Sequence, residues 1–230
     1  MAEYEFERNT KMEYTNPDAK VVIVGITLGN SQLENNRENK SPKEIKKENS
    51  FAGSNMRRNL TDMLDHSGIN DVLGIESCKT IFDEDFDKVE CTSLLKDATF
   101  EVKNGEKKMF NQPSKIMKND DLKKELENGF LEDCKNYTNS KVIVALGKET
   151  EKLLKQQQDS GKIDQNIEII GIPHPSGANQ GRINTFLGEE KPKNDASYDW
   201  AEQAAKNAKK AVKNILNSQS NSNTTKKSSK

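Results

Sequence analysis

Histidine occurs only twice in the 230 residues and cysteine only three times, and no stretch approaches the roughly 20 consecutive apolar residues that a bilayer span needs. The cysteines (Cys78, Cys91 and Cys134) are isolated, odd in number and free of any Cys-x-x-Cys spacing. That argues against a zinc site and a disulfide framework and fits a reducing cytoplasm. Neither sign of charge is in excess: 36 Lys+Arg face 37 Asp+Glu, for a formal net charge of -1, which excludes a histone-like protein. Hydrophobic residues reach only 32%, so the core must be concentrated in a few segments. The start, Met1-Ala2-Glu3-Tyr4-Glu5-Phe6-Glu7, is acidic and has no apolar stretch, so no signal peptide is expected. Length favours one domain, placed at residues 1–217, in a soluble cytoplasmic protein whose default state is a monomer.

Three short apolar, β-branched runs read as buried strands: Val21-Val22-Ile23-Val24-Gly25-Ile26, Lys141-Val142-Ile143-Val144-Ala145-Leu146-Gly147 and Ile167-Glu168-Ile169-Ile170-Gly171-Ile172. Two more candidates are Thr80-Ile81-Phe82 and the segment 89–95, with a turn at Lys103-Asn104-Gly105-Glu106. Helical spacing recurs at Met56, Leu60, Met63 and Leu64, with Gly68 just past the end. It recurs at Leu122, Leu126 and Phe130, over residues 148–158, and from Trp200 through Ala204, Ala208 and Val212 to Ile215. Residues 33–50 are almost wholly polar and read as an exposed loop, and the Ser/Asn/Lys tail at 218–230 as disordered. Strands alternating with helices predict the α/β class: a three-layer α/β/α sandwich around a mostly parallel, four-stranded sheet.

Two loops leave the C-terminal ends of buried strands, at residues 25–32 and 173–182, where an open α/β sheet places its ligands. The second holds His174 between Pro173 and Pro175, with Ser176 and its neighbouring N–H groups able to hold a phosphate. A tight turn with a solvent-facing imidazole is the competing reading. His66 lies near a helix C-terminus, which suits a structural role.

Four segments, in order, resemble the uracil-DNA glycosylase superfamily. Gly25-Ile26-Thr27-Leu28-Gly29 resembles its first motif, and Ser50-Phe51-Ala52-Gly53 the segment whose Phe stacks on an extruded base. Thr92-Ser93-Leu94-Leu95-Lys96 resembles the strand end that reads the base edge. His174-Pro175-Ser176-Gly177-Ala178-Asn179 resembles the second motif, whose His faces the base carbonyl and whose Ser contacts a phosphate. Val144-Ala145-Leu146-Gly147-Lys148-Glu149 is similar to the penultimate strand and helix start. The resemblance covers about residues 20–215.

It implies an enzyme that binds DNA, flips a nucleotide and hydrolyses the N-glycosidic bond, without cofactor or metal. The four-cysteine iron–sulfur cluster of some branches is not expected, because Cys78, Cys91 and Cys134 are too few and lie in the wrong places. Phe51 would be the stacking platform, a core role being the alternative, with Gly25, Ile26 and Ser93 around the base. His174 would stabilise the negative charge growing on the pyrimidine. Ser176, Asn179, Gln180 and Arg182 would grip the pinched strand or fill the space the base vacates, and Arg57, Arg58, Lys96 and Arg182 would form a local cationic patch. The lysine runs at 43–47 and 226–230 read as solvated, DNA contact being the alternative.

Two departures stand out. Where much of the family carries Asp, Asn or Glu in the first motif, this chain has Ile26 and Thr27, so Asn30 and then Thr27 become the candidates for placing water. Where several branches carry an Asn that separates uracil from cytosine, this chain has Ser93, whose shorter side chain leaves more room. A modified pyrimidine is therefore expected, hydroxymethylated or glucosylated cytosine of phage DNA being a concrete candidate, because bacterial antiviral members of the superfamily attack such bases. The alternatives are a fold-sharing binding protein without bond cleavage, a uracil-excising repair glycosylase, and an unrelated nucleotide-binding enzyme. The last is disfavoured because no Gly-Lys-Ser/Thr signature accompanies the glycines of the first loop.

Overall fold

In a computed structural model of the chain, the structure describes residues 3–8, 10, 13–29, 40–190 and 194–227. In chain order the elements are β1 (Glu3–Glu7), β2 (Val21–Thr27), α1 (Pro42–Asn49), α2 (Ser54–Ser67), α3 (Ile69–Leu73) and β3 (Val89–Leu95). The hairpin β4 (Ala98–Lys103) and β5 (Glu106–Met109) follows, then α4 (Asp120–Asn128), α5 (Phe130–Cys134) and β6 (Val142–Leu146). The chain continues with α6 (Lys148–Asp159), β7 (Glu168–Ile172), α7 (Gln180–Leu187) and α8 (Ala196–Lys227).

The central sheet runs β3-β2-β6-β7 with every pairing parallel. Side chains alternate across a strand, so the continuous apolar runs cover both faces. Val21, Ile23, Val144 and Ile170 pack under α2, α3, α7 and α8, whereas Val22, Val24, Ile143 and Ile169 pack under α4, α5 and α6. The result is the three-layer α/β/α sandwich that the alternation of strands and helices predicts.

A second sheet was not anticipated. It is antiparallel, ordered β1-β4-β5, and its hairpin turns at Asn104 and Gly105, both at positive φ.

Further expectations are corrected. The part of the polar segment 33–50 that is described contains helix α1, because Ser41 and Glu44 close a capping box around Pro42 at the first turn. Ile45 of this helix is buried, and so is Lys46 of the supposedly solvated lysine run. Thr80-Ile81-Phe82 belongs to a 3-10 helix, Cys78–Phe82, rather than a strand. Ser77 caps it, and Asp65 holds it by accepting from the Ser77 hydroxyl and the Cys78 N–H, each at 2.6 Å. Burial of Ile81 and Phe82 made the run apolar, and so short a run cannot distinguish strand from helix. The spacing at Leu122, Leu126 and Phe130 spans two helices, broken at Gly129, where a Cβ would lie 2.8 Å from the Glu125 carbonyl oxygen. Residues 218–227, expected to be disordered, continue α8 past Ile215, the last buried one among its described side chains, since each residue added to an existing helix gains a hydrogen bond without a new nucleus. Among the described residues no helix is long and apolar enough to cross a membrane.

Candidate functional site

Strands β2, β3 and β7 run parallel and so deliver their C-terminal ends to one side of the sheet. There a cavity of about 290 Å³ opens among the loop after β2, the turn between α1 and α2, the end of β3, the segment after β5 and the loop after β7. Phe51, Ser93 and His174 line it together, with Gly25 and Ile26.

The Gly25–Ser93 register puts these two residues side by side. A Cβ on Gly25 would lie 3.6 Å from both Cε1 of Phe51 and Oγ of Ser93, so the missing side chain leaves a gap between ring and hydroxyl.

Phe51 sits at φ 49°, a left-handed conformation rare for a bulky residue. Its ring packs edge-on to Phe82 at 6.4 Å, and Arg57 lies 4.4 Å above that second ring. Arg57 also donates to the carbonyls of Lys47 (2.7 Å), Glu48 (2.8 Å) and Ser50 (3.0 and 3.1 Å). Its expected place in a DNA-facing patch therefore gives way to a clamp on the turn that carries Phe51. Arg57→Ala is expected to cost about 1–3 kcal/mol in urea unfolding. Arg57→Lys should fail to restore it, because one ammonium cannot reproduce a planar fork. Full stability in the Lys variant would reduce the clamp to a simple charge effect.

His174 is held by its own loop. The Ser176 N–H donates to Nδ1 at 3.3 Å, which occupies that lone pair and assigns the ring proton to Nε2. Burial lowers the imidazole pKa, so the neutral form dominates near pH 7. Asn59, buried on α2, braces the same loop by donating to the Pro175 carbonyl at 3.0 Å and to Gln180 Oε1 at 3.2 Å. Asn59 was missed, although its spacing from Met56 and Met63 puts it on the apolar face of the helix.

Ser176, Asn179 and Arg182 form one chain: Asn179 donates to Ser176 Oγ at 2.9 Å, and Arg182 donates to Asn179 Oδ1 and, at 3.1 Å, to Ser197 Oγ. Gln180 Nε2 donates to Asn184 at 2.8 Å. Lys96 lines the cavity but is paired with Asp133 at 2.7 Å.

Thr27 lines the cavity too, yet its hydroxyl donates to the Asp97 carbonyl at 2.8 Å and accepts from the Thr99 N–H at 2.9 Å. Its proton is committed to the Asp97 carbonyl and its oxygen to the Thr99 N–H of β4, which argues against a water-placing role. Asn30, the other residue expected to place water, lies outside the described residues. No Asp or Glu occurs among the described residues lining the cavity. Among the described residues no group of three or more His, Cys, Asp or Glu is placed to hold a metal ion.

His66, read as structural, lies in the last turn of α2 with its ring 5.9 Å from that of Phe186. Lys46 and Asn111 also line the cavity and were not anticipated there.

Comparison with known proteins agrees with this geometry. The chain is 29% identical over 186 residues to the uncharacterized protein YoxB of Bacillus subtilis (strain 168), covering 76% of this chain and 71% of that one. The family model for the uracil DNA glycosylase superfamily matches residues 12–201, which take in the cavity and every element that shapes it. By that match the chain belongs to the uracil DNA glycosylase superfamily.

Proposed function

We propose that this protein is a DNA glycosylase that takes a flipped pyrimidine into the cavity and hydrolyses its N-glycosidic bond. The observation that carries this reading is that the Phe51 ring and the His174 imidazole line one cavity at the carboxyl ends of parallel strands. Phe51 offers the entering base an aromatic face. As the bond from the sugar C1′ to the base nitrogen lengthens, its electron pair passes to the base, and negative charge collects on the carbonyl oxygen. His174 Nε2–H donates to that oxygen, stabilising the leaving group without transferring a proton. Water adds to C1′, its proton goes to solvent, and an abasic site remains.

The base is read as larger than plain uracil. Ser93 is small, Gly25 contributes no side chain, and together they leave room beside Phe51. Hydroxymethylated or glucosylated cytosine fits that space in kind, which would make phage DNA the substrate and defence the setting. The lack of a carboxylate among the described cavity-lining residues supports a second reading, a binder that no longer cleaves.

The test incubates the protein with duplexes bearing uracil, hypoxanthine, 5-hydroxymethylcytosine or its glucosylated form and scores alkali-labile abasic sites. Strand breaks at either modified cytosine, exceeding those at uracil, are expected. A preference for uracil defeats the argument from Ser93, and binding without breaks at any base favours the second reading.

A further inference from the structure

Asn111 is fixed in place without being covered. Phe110 before it is buried, donates its N–H to the Thr99 carbonyl at 2.8 Å and packs edge-on to Tyr4 at 5.7 Å. Two residues after it, the buried Pro113 opens a 3-10 helix, Pro113–Lys118. Between these anchors Asn111 is exposed and lines the cavity that holds Phe51 and His174.

Its carboxamide is the only one among the described residues of that lining. Of the other polar groups there, Thr27 is committed to Asp97 and Thr99, Lys46 to Glu90 and Lys96 to Asp133. A carboxamide carries a donor and an acceptor side by side. The pairing edge of a pyrimidine carries the complementary couple in one of two senses. A 4-oxo ring offers an O4 acceptor beside an N3–H donor, and a 4-amino ring offers an N4–H donor beside an N3 acceptor. Rotating the amide by 180° changes it from one match to the other, unless the protein locks the rotation. Among the described residues nothing hydrogen-bonds the Asn111 side chain.

We propose that Asn111 is a specificity-determining residue that reads the pairing edge of the flipped base, and that its unlocked amide admits both 4-oxo and 4-amino pyrimidines. This assignment rests on the base-excision reading above. It extends that reading: selection between the two ring types is weak, and the discriminating contact comes from the segment after the β4–β5 hairpin rather than from the end of β3.

The experiment measures equilibrium binding, so that it does not depend on cleavage. Duplexes carry a non-hydrolysable 2′-fluoroarabino analogue of either deoxyuridine or 5-hydroxymethyldeoxycytidine, and an unmodified duplex serves as reference. The wild-type protein is expected to prefer both analogues to the reference, within about tenfold of each other. Asn111→Ala should weaken both by similar factors. Asn111→Asp, an acceptor only at mildly alkaline pH, should shift the ratio towards the 4-amino analogue by about 10–100-fold. An unchanged ratio in the Asp variant, or undiminished binding in the Ala variant, overturns the role of Asn111 while leaving excision standing. Wild-type binding no tighter to either analogue than to the reference overturns the excision reading and this assignment with it.

Discussion

Replacing His174 with alanine is expected to lower the rate of base release by about 10²–10³-fold, the usual effect of losing one donor aimed at developing negative charge. The loss should fall on the single-turnover rate and hardly on affinity for DNA that already holds an abasic site, because the donor acts on the departing base. The pH dependence follows from the same hydrogen bond. Nδ1 accepts from the Ser176 N–H, so protonating the ring would set two donors against each other and loosen the loop. Burial holds the folded-state pKa below the ordinary histidine value of about 6.5. The unfolded chain therefore takes up this proton first as pH falls. The stability that His174 contributes is complete above about pH 6.5 and is lost as pH drops through the lower, folded-state value. Activity should persist somewhat below pH 6.5 and then fall together with this part of the stability. A rate unchanged in the alanine variant would remove His174 from the chemistry, and a loss confined to DNA affinity would make it a binding residue only.

The central sheet was legible because its strands are buried on both faces, and such strands read as unbroken Val/Ile runs. The antiparallel sheet was not recognised, for the opposite reason. Glu3-Tyr4-Glu5-Phe6-Glu7 alternates charge and aromatic ring, with every second residue exposed, so its few apolar side chains hid a period of two. Helix α1 escaped in the same way: Pro42-Lys43-Glu44-Ile45-Lys46-Lys47-Glu48-Asn49 is mostly charged, and one buried apolar residue, Ile45, anchors it. The local signal was nevertheless present in Ser41-Pro42-Lys43-Glu44, a capping box with proline at the first turn.

At the site, the sequence supplied the residues but not their partners. Phe51, Ser93 and His174 share a cavity, as the family resemblance of their three segments implied. What Arg57, Thr27 and Lys46 do depends on carbonyls and carboxylates distant in sequence, and residue type does not encode those contacts. Arg57 looks like a phosphate ligand and proves to be a clamp on backbone carbonyls. Asn111 lies outside every recognisable motif, and only the closure of the hairpin against the sheet brings it to the cavity.

Lys46 illustrates the same difficulty and carries a large expected effect on stability. Its ammonium donates to the Glu90 carboxylate and to the Tyr14 carbonyl, and the side chains of the ion pair are only 6% and 2% exposed. The other Glu90 oxygen accepts from the Asn16 N–H at 2.7 Å. The pair thus ties helix α1 and the segment before β2 to strand β3 beneath the cavity. Removing one partner leaves the other as an uncompensated buried charge, so Lys46→Met is expected to cost about 3–5 kcal/mol in urea unfolding at neutral pH. Desolvation already raises the Glu90 pKa, and losing the ammonium must raise it further. A carboxyl whose folded-state pKa lies above its unfolded value destabilises the fold progressively as pH rises between the two values. The penalty in Lys46→Met, measured against wild type at each pH, should therefore be larger near about pH 8 than near about pH 5, because protonation of the raised Glu90 carboxyl relieves it as pH falls. Adding Glu90→Gln removes the charge yet keeps an acceptor for the Asn16 N–H, and the double variant should recover more than half of the loss. A penalty equal at both pH values, or a double variant no more stable than the single, would trace the damage to lost packing of the lysine stem rather than to the stranded carboxylate.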